Sequence, residues 1–219
     1  VSPDRERSAS GHSISLHEPL RAEEINYNTM KEVNCYKVNG TPADCVKLGI
    51  ETLINFNPDI VISGINKGGN LGYDIFYSGT VSAAIEGWMM GYTSIAVSLT
   101  IENNHFFHSG AEIFYDKLFS KLETFIENKM LLNVNIPDIK KDEIKGITVA
   151  QLSQCLYDDY YETRIDPMGD KYYWLRGNIE KEINKETDIW AINHQKISIT
   201  PLKINLNHQA HIERLKNIF

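Results

Sequence analysis

Cysteine is scarce in this sequence: three residues in 219, Cys35, Cys45 and Cys155. Their number is odd and their spacing wide, which excludes a disulfide framework and a CxxC zinc pair. Reduced thiols of this kind fit a cytoplasmic protein. No apolar run approaches the ~18 residues that a spanning helix needs, so no membrane partner is expected. Positive charge is also short, with 22 Lys and Arg against 29 Asp and Glu and a net charge of −7. That balance argues against duplex nucleic acid, which requires a basic footprint. Small anions stay open, because one local site can be positive on a negative protein. With 42% hydrophobic and 23% charged residues, the chain is neither disordered nor collagen-like, and it can bury a core.

Standard nucleotide and hydrolase motifs are missing as well. Gly64 and Gly69 have the gap of a Walker A loop, but Asn70-Leu71 stands where Lys and Ser or Thr are needed. The glycines at 64, 68, 69 and 72 do not spell G-x-G-x-x-G, which disfavours a dinucleotide-dependent oxidoreductase. There is no G-x-S-x-G elbow either. Seven histidines form no zinc signature; His105 and His108 fall in a loop, and His208 and His211 share a helical face.

What is present is an alternation of helices and buried strands. Thr41-Pro42-Ala43-Asp44 opens a helix, with Thr41 as cap, Pro42 at the first position and Asp44 in the first turn. Asn57-Pro58 stops it. Asp59 to Ser63 reads as a buried strand, Thr80 to Met90 as a helix and Ser94 to Leu99 as a strand. Ser109-Gly110-Ala111-Glu112 matches a capping box, and Leu131 to Asn135 is a further strand. This order predicts an α/β fold, a mostly parallel sheet with helices on both faces, in which ligands sit at the carboxyl ends of the strands.

After Gly146 the rhythm changes. Ile147 to Leu152 and Lys196 to Thr200 read as strands, Glu180 to Asp188 as a charged surface stretch, and Asn207 to Ile218 as a terminal amphipathic helix. Tyr157 to Ile165 and Tyr172 to Arg176 flank the turn Asp166-Pro167-Met168-Gly169-Asp170, predicting an aromatic β-hairpin. Six Tyr and Trp residues on such a projection call for a surface to pack on, and contact between subunits is the expected one. Residues 1–145 are therefore read as the core with the site, and 146–219 as an oligomerisation segment of the same domain.

Three loops carry candidate chemistry. Residues Ser2 to Ser15 place hydroxyls around Gly11, close to any ligand. The glycine-rich stretch Gly64 to Gly72 follows a strand and offers free N–H groups to an anion. Ser78-Gly79-Thr80 opens a helix whose orphan N–H donors and two hydroxyls suit a phosphate, whether or not Ser78 also caps that helix. Ser8, Asn66 and Asp74 are oxygen donors of the kind that Mg²⁺ or Mn²⁺ prefers over Zn²⁺. Glu86, further along the helix, is expected to face solvent.

Five motifs in order resemble the survival protein SurE family. They are Ser2-Pro3-Asp4-Arg5-Glu6-Arg7-Ser8-Ala9-Ser10-Gly11-His12-Ser13; Gly40-Thr41-Pro42-Ala43-Asp44-Cys45; Ser63-Gly64-Ile65-Asn66-Lys67-Gly68 with Asn70 and Gly72; Ser78-Gly79-Thr80-Val81-Ser82-Ala83-Ala84 with Glu86-Gly87; and Ile197 to Leu202. The resemblance implies a Rossmann-like three-layer sandwich with a projecting hairpin and a C-terminal helix used in oligomerisation, as a homodimer or homotetramer. It implies a phosphomonoesterase that hydrolyses nucleoside 5′- or 3′-monophosphates with a divalent cation, Mg²⁺ or Mn²⁺. The metal ligands would be Ser8 and Asn66 together with two adjacent catalytic aspartates, which the resemblance places before Val1. The one Asp-Asp pair in this sequence, Asp158-Asp159, lies in the hairpin region. Asn70, Ser78, Gly79 and Thr80 would hold the phosphate. The rival reading is a non-catalytic nucleotide-binding or assembly protein.

Overall fold

The computed structural model describes residues 1–26, 33–100, 110–154, 160–177 and 182–219. The predicted cap Ser109, the histidines His105 and His108, Cys155, and the start of the hairpin with Tyr157 and Asp158-Asp159 lie outside them.

The chain opens with three short strands: β1 (Ser2–Pro3), inside the stretch expected to be a loop, and β2 (Ala22–Ile25) and β3 (Cys35–Val38), for which no element is expected from sequence. They form a small sheet in the order β1-β3-β2, with β1 parallel and β2 antiparallel to β3. Helix α1 (Pro42–Leu48) begins at the predicted cap. The Thr41 hydroxyl accepts the Asp44 N–H at 3.1 Å, and the Asp44 carboxylate accepts the Thr41 N–H at 2.8 Å. The helix widens into a π turn over Gly49–Leu53.

The central unit follows as β4 (Ile60–Lys67), α2 (Gly79–Met89), β5 (Thr93–Thr100), α3 (Gly110–Leu118), α4 (Leu122–Glu127), β6 (Leu131–Pro137) and β7 (Ile147–Val149). Then come the hairpin strands β8 (Tyr160–Ile165) and β9 (Lys171–Arg176), helix α5 (Asp188–Asn193), β10 (Ile197–Pro201) and α6 (Gln209–Lys216). The large sheet runs β4-β5-β6-β10-β7. Its first three strands are parallel; β10 is antiparallel to β6 and parallel to β7. Strands from the segment after Gly146 thus complete the central sheet. Among the described residues the hairpin pairs with no other strand.

Every residue of β5 and β6 is buried, as expected of strands covered on both faces. One face is apolar: Ile95, Val97, Leu99, Leu132, Val134 and Ile136 pack on Ile113, Phe114 and Leu118 of α3. The other face meets α2 through small residues, Ala96 against Val81 and Ala84. Toward the carboxyl ends that second face turns polar, with Ser98, Asn133, Asn135, Ser198 and Thr200 all buried. This polar floor lies beneath the loop after β4.

Two readings change. The stretch up to Asp188 is not all surface: Thr187 and Asp188 are buried, and Thr187 caps α5. The C-terminal helix is shorter than expected and buries no residue, while His208 caps it by accepting the His211 N–H at 3.2 Å.

Candidate active site

A cleft of about 590 Å³ opens at the carboxyl end of β4. Its walls are the loop Arg5–Ala9, the end of β4 with the loop up to Asn70, and the first turn of α2. Ser8, Asn66, Asn70, Ser78, Gly79 and Thr80 all line it. Three segments, residues 5–9, 65–70 and 78–80, converge on one space. Asp74 does not line it; it sits in a 3-10 turn over Gly72–Phe76 that leads into α2.

The loop after β4 is shaped by a glycine. Gly64 has φ +127°, and a Cβ there would stand 2.3 Å from the Val97 carbonyl oxygen of the neighbouring strand. The Asn66 side-chain N–H then donates to the Gly68 carbonyl at 2.8 Å, leaving Oδ1 for a ligand. Asn70 is held from below. Its N–H donates to Asn135 Oδ1 at 2.8 Å, and its carbonyl accepts from Nδ2 of Asn133 and Asn135 at 2.8 and 2.9 Å. Its own Nδ2 donates to Ser98 Oγ at 2.6 Å, so one amide hydrogen remains to face the cleft.

Helix α2 starts with Ser78 as its cap. The Ser78 hydroxyl accepts the Val81 N–H at 3.1 Å. The N–H groups of Gly79 and Thr80 have no acceptor among the described residues. They point out of an eleven-residue helix, at the positive end of its dipole. Gly79 also fixes how near the first loop can come. A Cβ on it would meet Ser10 Oγ at 2.7 Å and Pro42 Cγ at 2.9 Å.

The first loop is fastened on both sides. Asp44 accepts the Ser15 N–H at 2.9 Å and the Ser15 hydroxyl at 2.7 Å. Burial pushes the Asp44 carboxyl up, but these bonds and those from Thr41 outweigh it, so it titrates below the usual 3.8. Thr41 Oγ1 donates to the Ser13 carbonyl at 2.7 Å, and the Gly11 N–H donates to the Tyr77 carbonyl at 3.0 Å. Glu86 does not face solvent: it is 7% exposed, with His12 Nε2 at 2.8 Å and Lys47 Nζ at 3.3 Å. Asp188, far off in sequence, secures the other loop by accepting the N–H groups of Gly72 and Ser153 at 2.8 and 2.9 Å. Burial raises the Asp188 carboxyl, and the backbone bonds only partly offset it.

Sequence reading missed the charge of the cleft. Arg5, Arg7 and Lys67 line it, against one carboxylate, Glu6. Arg7 is committed to Asp4 and to the Asn39 carbonyl. Arg5 and Lys67 have no ion pair among the described residues. The signal was their adjacency to Ser8 and Asn66. As a metal site, the donors present fit in kind, since Ser8 and Asn66 bring hard oxygens. They fall short in number and charge. Among the described residues no three His, Cys, Asp or Glu side chains are grouped to hold a metal.

The family model for survival protein SurE matches residues 1–159. The chain is 45% identical over 218 residues to the 5′-nucleotidase SurE of Synechococcus sp. (strain JA-3-3Ab), covering 99% of this chain and 84% of the relative. It is equally 45% identical to the 5′-nucleotidase SurE of Caldanaerobacter subterraneus subsp. tengcongensis, with the same coverage. The crystal structure of the SurE protein from Aquifex aeolicus superposes with a TM-score of 0.84 at 39% identity, over 99% of this chain and 86% of that one. With a family model spanning most of its length and relatives this similar end to end, the chain belongs to the survival protein SurE family.

Proposed function

We propose that this chain is a metal-dependent phosphomonoesterase acting on nucleoside 5′-monophosphates, the activity its relatives are named for. The observation that carries the reading is the convergence of the unpartnered α2 N-terminus with Ser8 and Asn66 in one cationic cleft. The N–H groups of Gly79 and Thr80 and the Thr80 hydroxyl would grip the phosphoryl oxygens and stabilise charge that develops on them. The Ser78 hydroxyl accepts the Val81 N–H and keeps its own hydrogen, which it would donate to the phosphate. Asn70 would add one amide hydrogen, aimed by the buried asparagines beneath it. Arg5 and Lys67 at the rim would attract the dianion.

Ser8 and Asn66 would be two oxygen ligands of Mg²⁺ or Mn²⁺. The chemistry supplied there is Lewis acidity toward the phosphoryl group. The thiols of Cys35 and Cys45 are free, which supports a cytoplasmic setting. Among the described residues no helix is long and apolar enough to cross a membrane.

The test uses the natural full-length protein. Phosphate release from AMP should require Mg²⁺ or Mn²⁺ and stop in excess EDTA. Full turnover in EDTA overturns the metal assignment. AMP binding without release favours the rival, a non-catalytic nucleotide-binding protein.

A further inference from the structure

We propose that Glu86 is a positioning residue for the cleft, acting through His12 on the loop that carries Ser8. The inference rests on the phosphatase reading of that cleft. A carboxylate that is 93% out of solvent is costly unless both oxygens are engaged, and those of Glu86 are. Oε2 lies 2.8 Å from His12 Nε2, and Oε1 accepts from Lys47 Nζ at 3.3 Å. His12 is 74 residues away in sequence and belongs to the cleft loop. The adjacent residue, Gly11, donates its N–H to Tyr77, immediately before the α2 cap. Side chain and backbone together bolt the loop to the helix whose first turn forms the opposite wall.

The loop needs such a bolt. Ala9, beside Ser8, has φ +53°, a conformation that a residue with a Cβ adopts only under constraint. The contacts of Ser13 and Ser15 with Thr41 and Asp44 hold the far end of the loop against α1. Between that anchor and Ser8, the hydrogen bonds of Gly11 and His12 join the packing of Ser10 against Gly79 in fixing the position of Ser8 relative to the α2 first turn. Among the described residues no side-chain hydrogen bond or ion pair joins Glu86 to a cleft residue, so its effect passes through His12. Its bond to Lys47 ties α2 to α1 and reaches no part of the loop.

Kinetics with AMP and Mg²⁺ on the natural full-length protein test this with Glu86→Gln, His12→Ala, the double variant and Lys47→Met. Glu86→Gln and His12→Ala should each lower kcat/KM about tenfold, as loss of a ligand-orienting partner does. The loss should fall on kcat, because the loop meets the phosphoryl end of the substrate. The double variant should be no worse than either single one, and Lys47→Met should stay within twofold of wild type. Amide exchange over residues 8–15 should quicken in the first three variants and not in Lys47→Met. Multiplied losses in the double variant, or unchanged kcat and exchange in Glu86→Gln, overturn the proposal. If Glu86→Gln does not fold, the partly exposed His12→Ala carries the same comparison against Lys47→Met. If wild type itself leaves AMP intact, the phosphatase reading falls, and the exchange data alone decide the tether.

Discussion

The side-chain amide of Asn135 grips the backbone of Asn70 at both ends: Oδ1 accepts its N–H at 2.8 Å, and Nδ2 donates to its carbonyl at 2.9 Å. Asn135 is fully buried in β6, and Asn70 lines the cleft. A strand residue therefore substitutes for the sheet partner that the glycine-rich loop lacks. Asn135→Leu keeps the size but leaves the Asn70 N–H buried and unpaired. The expected cost is roughly 2–3 kcal/mol, and AMP turnover should fall with it. Thermal melts beside kinetics decide this; wild-type stability would show that the pairing is dispensable.

The same polar floor holds a hydroxyl with no use in the fold. Thr200 Oγ1 is buried and has no hydrogen-bond partner among the described residues, on the strand position paired with Asn133. Thr200→Val replaces that hydroxyl by a methyl of the same shape, so it removes a desolvation penalty without losing a bond. The variant should melt at or above the wild-type temperature. A clear drop would mean that the hydroxyl is satisfied in solution.

Gly79→Ala tests the width of the cleft. The added methyl would press on Ser10 Oγ, which can rotate, and on Pro42, which cannot. Overpacking of this sort costs about 1–3 kcal/mol, and here it pushes the Ser8 loop away from the α2 first turn. Turnover should fall more than stability does. Isothermal titration with inorganic phosphate should show weaker binding, and unchanged binding would refute the close-approach argument.

Asp44 gives a pH signature. Its folded pKa lies below the usual 3.8, so the ionised form stabilises the native state. That contribution is complete above the unfolded pKa and is lost as pH falls through the lower folded value. Asp44→Asn should therefore melt well below wild type at pH 6, and the gap should narrow by pH 3. Asp188, whose shift has the opposite sign, is present in both proteins and cancels in the difference. A gap that does not change with pH would show that the charge of Asp44 is immaterial.

These residues mark where sequence reading reaches and where it stops. The α1 start was legible because cap, proline and acid are local signals, and the structure uses all three. Of the six cleft candidates, Ser8 and Asn66 were legible as oxygen donors in loops and Ser78, Gly79 and Thr80 at a helix start, while the role of Asn70 came from the resemblance to the SurE family. Glu86 and Asp188 were not. Each looks like a surface carboxylate along the chain, and each is buried by partners 74 and 116 residues away that only tertiary packing supplies. Strand β1 has two residues and β2 is mostly exposed, so neither shows the alternation that marks a strand. Helix α5 has six residues, too few for a helical period to emerge.

The hairpin supplies the last prediction. Among the described residues it pairs only with itself, and a two-stranded ribbon alone is marginal in water. Its turn is well made: Asp166 Oδ1 accepts the N–H groups of Met168 and Asp170 at 2.8 and 2.9 Å, and Glu162 binds Arg164 and Arg176. Yet Tyr161, Tyr173, Trp174 and Leu175 are all more than half exposed. Aromatic side chains of this type are enriched at the centres of subunit contacts. Replacing residues 160–176 by a short Gly-Ser linker should lower the mass seen by light scattering. The central sheet and its cleft are built from other strands, so the circular-dichroism melt should keep a cooperative transition. An unchanged mass would refute a role for the hairpin in assembly. A lower mass with lost AMP hydrolysis would show that the cleft is completed across subunits.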